Sequence, residues 1–254
     1  MVTDLSAVRI CTPLCTVKES PSADAKASSE LLFGESVQVL REEKGWLKVR
    51  ATADGYEGFV ESNACHSTDH AATHWVTARA TLVFEQPDIK SPVVHRVLFG
   101  SPLSLSDCDV DDKFMHLSDV GFIWANHCKK SSDVLSASLI DIAEQYYMGA
   151  PYLWGGRSSD GCDCSGLVQM LAAAKGIKIP RDSGEQENAL PDDVEFKDRA
   201  ANQLVYWPGH VGVLKTPDLL LHATAHSLQC CVEPLQNVVD RAGEPSSTKQ
   251  LIDL

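Results

Sequence analysis

The chain has 254 residues, 44% of them hydrophobic and 22% charged, an ordinary balance for a globular protein with room for one large domain or several small ones. No run of about 18 apolar residues occurs, so no membrane-spanning helix is expected. A net charge of −13 argues against nucleic acid or an anionic membrane as partner, because phosphate binding needs clustered Lys and Arg; it suits a substrate carrying a free amine, as well as plain solubility.

Residues 1–14 contain Asp4 and Arg9 but neither a basic start nor a sustained apolar stretch, unlike a secretory leader. The chain then repeats itself. Leu32-Phe33-Gly34 recurs as Leu98-Phe99-Gly100, Gly58-Phe59-Val60 as Gly121-Phe122-Ile123, and Asn63-x-Cys65 as Asn126-x-Cys128, with Pro21 and Pro87 in turns ahead of the two copies. Residues 36–40 alternate, 41–45 turn, 46–50 alternate again, and Asp54-Gly55 is a hairpin signal before a strand over 56–60. In the second copy, 103–106 lead through an acidic turn to 114–117. Units of about 60 residues made of short strands predict small β-barrels. Gly34-Glu35, Gly45-Trp46 and Gly55-Tyr56-x-Gly58-Phe59-Val60 together resemble bacterial SH3-like domains; the second copy lacks the Gly-Trp.

Residues 66–74 and 129–137 are polar and read as linkers. His66, His70 and His74 would form a metal face if helical, but Ser67, Thr68 and Thr73 are poor helix formers and favour a solvated linker.

From Ser138 the period becomes helical, with Leu139, Ile142, Ala143 and Tyr147 on one face and a stop at Gly149 before Pro151. Tyr152-Leu153-Trp154-Gly155-Gly156 and a Ser/Gly/Asp-rich loop follow. Asp163 is then a candidate N-cap for a helix carrying Cys164, Leu167, Val168, Leu171 and Ala174, stopped by Gly176. Cys164 thus falls in a first helical turn, where the dipole and unpaired N–H groups favour thiolate and pull a thiol below its free value of about 8.5. The same N–H groups can hold an oxyanion. A cysteine alone would read as a small buried hydrophobe. Here a partner follows: 205–207 and 210–214 read as strand, 216–218 as a turn and 219–223 as the returning strand, which carries His222 to the neighbourhood of His210. One histidine then serves as base toward Cys164 while the other fixes its tautomer.

In order, Tyr152-x-Trp154-Gly155-Gly156, Asp163-Cys164-Ser165-Gly166-Leu167-Val168, Pro180-Arg181-Asp182-Ser183-x-x-Gln186, Gly209-His210-Val211-Gly212 and His222-Ala223 resemble the NlpC family of papain-like cysteine peptidases. The likeness is greatest to the subgroup that hydrolyses γ-D-glutamyl–diamino acid bonds in cell-wall peptides. It implies two small SH3-like β-barrels, residues 1–68 and 69–130, ahead of an α+β papain-like peptidase domain, residues 131–254. It implies Cys164 as nucleophile, His210 as general base and later acid, His222 as the orienting third member, and the Tyr152 hydroxyl beside the oxyanion. Trp154, Ser165, Asp182 and Ser183 would line the substrate pocket. Tyr56 and Glu35 from the first SH3-like domain would close its end, with Glu35 and Asp182 around a free N-terminal amine. The substrate would be a murein peptide, L-Ala-γ-D-Glu followed by diaminopimelate or lysine.

Two departures stand out. Where the family has Arg/Pro-Gly-Asp-Leu, this chain has Ala201-Asn202-Gln203-Leu204, and Cys162 stands two residues before the nucleophile, as a structural residue or in a strained disulfide with Cys164. The nine cysteines form no disulfide framework, which points to reduced thiols and a cytoplasmic role in murein peptide recycling. No cofactor and no metal are expected: Cys162/Cys164 and Cys230/Cys231 are poorly spaced for zinc, and Cys11 with Cys15 has no matching second pair. The rival readings are an acyltransferase using the same Cys–His pair, and a non-catalytic peptidoglycan-binding protein.

Overall fold

The computed structural model describes residues 8–107, 113–191 and 194–251. The chain divides into two compact units, Met1–Asp133 and Val134–Leu254.

The first half of the first unit is an antiparallel seven-stranded sheet in the spatial order Ala27–Leu32, Leu14–Lys18, Glu57–Glu61, Trp46–Ala51, Ser36–Glu43, Val8–Ile10, Cys65–Ser67. Alternation decides which side chains enter: Ile10, Val17, Leu31, Val37, Val49 and Val60 meet in one core. The turn expected over 41–45 is shorter. Glu43 pairs with Trp46, and only Lys44 and Gly45, at φ 52° and 84°, leave the ladder, the backbone of a two-residue type I′ hairpin.

The second half builds a five-stranded sheet (Val93–Leu98, Ala80–Phe84, Gly121–Trp124, Phe114–Leu117, Leu105–Asp107) and a three-stranded one (Pro102–Leu103, His74–Val76, Cys128–Lys130). The sequence repeat is a repeat of turns. Gly34 and Gly100 sit at φ 81° and 88°, and their N–H groups donate to Ile10 O at 2.8 Å and Val76 O at 2.9 Å. Short 3₁₀ helices, Ser62–Ala64 and Ala125–His127, end both copies. One difference from the expected strand over 103–106 has a visible cause. Ser104 leaves the ladder, its Oγ donating to His70 O and Ala71 O, so the chain changes sheets there. The acidic turn that follows lies mostly outside the described residues. The copies are also joined: Phe33, from the turn of the first, packs in the core of the second with Val76, Val97 and Leu103.

The expected linkers are partly ordered. His66 and His74 lie in strands, and only 68–73 between them lacks regular structure, so the three histidines do not share a helix face. In the other, Leu135 N–H bonds Ala174 O, and Lys175 Nζ donates to the carbonyls of Leu135 and Ala137 at 2.8 and 3.0 Å.

The second unit packs helices against a five-stranded antiparallel sheet in the order Gln229–Pro234, Leu219–Thr224, His210–Thr216, Leu204–Trp207, Ser247–Lys249. Helix α1 (Leu139–Tyr146) starts with a capping box between Ser138 and Asp141. Helix α2 (Cys164–Ala174) is buried on nearly every face, as its run of small and apolar residues requires. Two shorter helices follow, α3 (Ser183–Ala189) and α4 (Leu235–Ala242). The unusual Asn202 stands at φ 67°, its N–H on Leu214 O and its Oδ1 accepting from Ile140 N–H. Asn tolerates this left-handed conformation better than other side chains. It therefore takes a left-handed turn at the position where the family pattern has glycine.

Candidate active site

The start of α2 is held by one carboxylate. Asp163 is its N-cap, accepting from Gly166 N–H at 2.7 Å, and its other oxygen accepts from Gly155 N–H at 2.8 Å. Arg181, 2% exposed, closes a bidentate ion pair on the same carboxylate at 3.0 and 2.6 Å. Arg181 also donates to Ser165 Oγ at 2.9 Å. Gln186, fully buried, donates to Ser165 O and Pro180 O at 3.0 and 2.9 Å. Glycine is required where α2 meets the preceding loop: a Cβ on Gly166 would stand 2.2 Å from Gly156 O. The Gly-Gly, Asp-Cys-Ser-Gly and Pro-Arg-Asp-Ser-x-x-Gln segments are thus one packed assembly behind Cys164.

Cys164 is 7% exposed, with its sulfur 4.0 Å from Gly209 O. Burial, then the Asp163 charge, pushes its thiol up to about 11, against the opposing N–H groups of Val211 and Ser165 and the Arg181 charge. This corrects the expectation of a lowered thiol. The helix N-terminus does favour the thiolate, but here desolvation outweighs it, and the Asp163 that caps the helix adds a like charge.

Gly209 and Val211, both of which meet the Cys164 sulfur, flank His210. His210 Nε2 lies 2.7 Å from His222 Nδ1, and the fully buried His222 places its Nε2 2.9 Å from Glu233 Oε1. Arg241, in the last turn of α4, donates to both Glu233 oxygens, at 2.9 and 2.5 Å. The sign of this line of contacts is fixed at its far end. Arg241 and the His222 contact hold Glu233 below the usual carboxylate range, so it is an anion that accepts from His222 Nε2–H. His222 Nδ1 is then an acceptor, taking the proton of His210 Nε2, and His210 is left with a lone pair on Nδ1. Burial, with the His222 charge next, lowers His210 to about 4, so at neutral pH it is an uncharged base.

Glu233 and Arg241 were not found from the sequence. The signal was present: His222 pairs with Cys231, and Glu233, two residues further along the same strand, shares that face.

The other expected residues fall as follows. Tyr152 is half-buried; burial, then the charges of Cys164 and Asp163, raises its hydroxyl to about 12, which keeps it a proton donor beside the nucleophile. Trp154 is 68% exposed at the tip of its turn. Ser165 is buried, with its hydroxyl engaged by Asp163 and Arg181, so its side chain serves the assembly behind the nucleophile. Asp182 is the exposed N-cap residue of α3, and Ser183 is buried at that helix start. Tyr56 and Glu35 belong to the first unit. Tyr56 Oη donates to Ser28 O at 3.4 Å, and Glu35 Oε2 accepts from Leu32 N–H at 2.9 Å. Cys162 is fully buried with its thiol hydrogen-bonded to Cys230.

Residues 149–241 match the NlpC/P60 family. The second unit therefore carries an NlpC/P60 domain. The chain is a cysteine peptidase. Residues 18–64 match a second family, described as the bacterial dipeptidyl-peptidase Sh3 domain. Among curated relatives, the chain is similar to dipeptidyl-peptidase 6 of Lysinibacillus sphaericus, 28% identical over 225 residues that cover 80% of this chain and 82% of the relative. It is also similar to γ-D-glutamyl-L-lysine dipeptidyl-peptidase of Bacillus subtilis strain 168, 25% identical over 237 residues, covering 79% and 73%. Among solved structures, an NlpC/P60 family protein from Bacillus cereus ATCC 10987 shares the fold, with a TM-score of 0.83 at 19% identity over 96% of this chain and 99% of that one.

Proposed function

We propose that this NlpC/P60 peptidase hydrolyses the γ-D-glutamyl–diamino acid bond of murein peptides that carry a free N-terminal L-Ala, and that it serves cell-wall peptide recycling in the cytoplasm. The observation that carries the catalytic part is the line from Glu233 through His222 to His210, whose chain neighbours Gly209 and Val211 meet the Cys164 sulfur. Its polarity leaves His210 Nδ1 unprotonated, as a base toward a thiol needs. The γ-D-glutamyl bond is inferred from the γ-D-glutamyl-L-lysine dipeptidyl-peptidase among the relatives, the free L-Ala from the resemblance in the sequence motifs, and the reducing compartment from the eight described cysteines, which are free thiols.

In this mechanism both partners start neutral. His210 Nδ1 takes the Cys164 proton as Sγ attacks the γ-carbonyl of D-glutamate. The oxyanion is held by backbone N–H groups at the start of α2 and by the Tyr152 hydroxyl. The imidazolium is stabilised through His222 by the Glu233 anion, then gives its proton to the departing amine. Water, activated by His210, releases the acyl group from the thioester. Trp154, Asp182 and Ser183 contact the substrate, and Asp182 supplies charge toward its amine. Residues 1–68 and 69–130 act as tandem SH3-like barrels before the peptidase domain of residues 131–254; the turns shared by Gly34 and Gly100 support that pairing.

The test is mass spectrometry of the protein incubated with L-Ala-γ-D-Glu-meso-diaminopimelate and, separately, the N-acetylated peptide. Release of L-Ala-D-Glu from the free peptide alone is expected. Equal cleavage of both would remove amine recognition and the recycling role. No cleavage of either, with Cys164 still reactive to a thiol probe, would replace hydrolysis by acyl transfer.

A further inference from the structure

The first unit contains a cleft of about 330 Å³ between its two halves, apart from the peptidase residues. Phe33, Val94 and Leu117 give it an apolar lining. Its wall is basic in a protein whose net charge is −13: Arg9, His66, His70 and His95 all line it. Arg9 and His66 are paired residues on neighbouring strands, so their side chains leave the sheet on one face. The His95 ring packs on Phe33 with centroids 5.5 Å apart. Asp119 also lines the cleft, but it is ion-paired to His70 at 3.4 Å.

Arg9 is the decisive group. Its Nη1 donates to Ser104 Oγ at 3.1 Å, while its Nε is buried and has no hydrogen-bond partner. Among the described residues no carboxylate pairs with it, and burial lowers its pKa. A guanidinium partly withdrawn from water without a counter-ion carries a desolvation cost that an arriving anion offsets. Ser104 is itself fixed by bonds to His70 O and Ala71 O, so one donor direction of the guanidinium is preset.

We propose that this cleft is a second binding site, for a small carboxylate with an apolar substituent, of about the size of a capped dipeptide. The carboxylate meets the exposed edge of the Arg9 guanidinium and the imidazole N–H groups of His66 and His95. The apolar part covers Phe33, Val94 and Leu117.

The experiment is calorimetric titration of the full-length protein with N-acetyl-L-alanyl-L-leucine, with its C-terminal amide, and with inorganic phosphate. Peptide amide NMR then locates the bound peptide. The acid is expected to bind at least tenfold more tightly than the amide or phosphate, with shifts at the cleft residues. Arg9→Gln and His66→Gln are each expected to weaken it at least threefold while peptidase activity stays unchanged. Equal binding of acid and amide, tighter binding of phosphate, or no binding of the acid overturns the proposal. So does binding that disappears when Cys164 is alkylated, since that places the ligand in the peptidase site. If Arg9→Gln lowers thermal stability, the exposed His66→Gln variant decides: unchanged affinity there refutes the site.

Discussion

Replacing Glu233 by glutamine keeps the shape of the acceptor beside His222 but removes its charge. A hydrogen bond to a charged group contributes about 1.5–3 kcal/mol. Arg241 already neutralises part of the Glu233 charge, and only the share that grows when His210 becomes imidazolium affects the rate. Taking about half gives roughly 1.1 kcal/mol, about a sixfold fall in kcat/KM. Glu233→Leu does more. It leaves His222 Nε2–H buried without a partner and lets the histidine pair adopt the opposite tautomers, which point a proton at the thiol; about 100-fold is expected from the loss of both effects. Because the hydrogen bonds of the Glu233 carboxylate go, among the described residues, to His222 and Arg241, KM should change little in either variant. The assay is initial-rate cleavage of L-Ala-γ-D-Glu-meso-diaminopimelate followed by chromatography across pH 5–9. A Glu233→Leu enzyme within twofold of the parent in kcat would refute the assigned polarity of the line.

Three further outcomes follow from the geometry. Arg181→Met leaves the Asp163 carboxylate buried without its counter-charge and should cost about 3–5 kcal/mol of stability in the second unit; Arg181→Lys should recover part of it in the same denaturant titration. His210 falls from 6.5 unfolded to about 4 folded, so between these values the unfolded chain binds the extra proton and stability drops as pH falls. The loss between pH 7 and pH 4 is at most about 3 kcal/mol from this group, read from melts at both pH values, and the acid limb of kcat/KM should lie well below the ordinary histidine range. Gly34→Ala places a methyl at φ 81° and 1.9 Å from Pro102 O. It should destabilise the first unit by at least about 2 kcal/mol in thermal unfolding.

What the sequence made legible is what local spacing encodes. The helix start at Cys164, its Asp163 cap and the hairpin carrying His210 and His222 depend on turns and periodicity within a few tens of residues. The break at Ser104 depends instead on carbonyls of residues 70 and 71, a contact that no local pattern announces. Asn202 read as a departure, although its left-handed backbone is one of the few that a non-glycine adopts readily. Glu233 escaped because it needs the register of a third strand. The thiol shift was misjudged because a helix end is visible in sequence, whereas desolvation is a property of everything packed around it.

Phe33 belongs by sequence to the first repeat and by packing to the second. Folding of the two repeats is therefore one event and not two: neither can unfold without removing a large aromatic ring from the other's interior or exposing it to water. A chain cut after the first repeat would present that ring on its surface, inviting self-association. The second repeat thus has a reason to exist that needs no ligand, as the other half of a single cooperative unit.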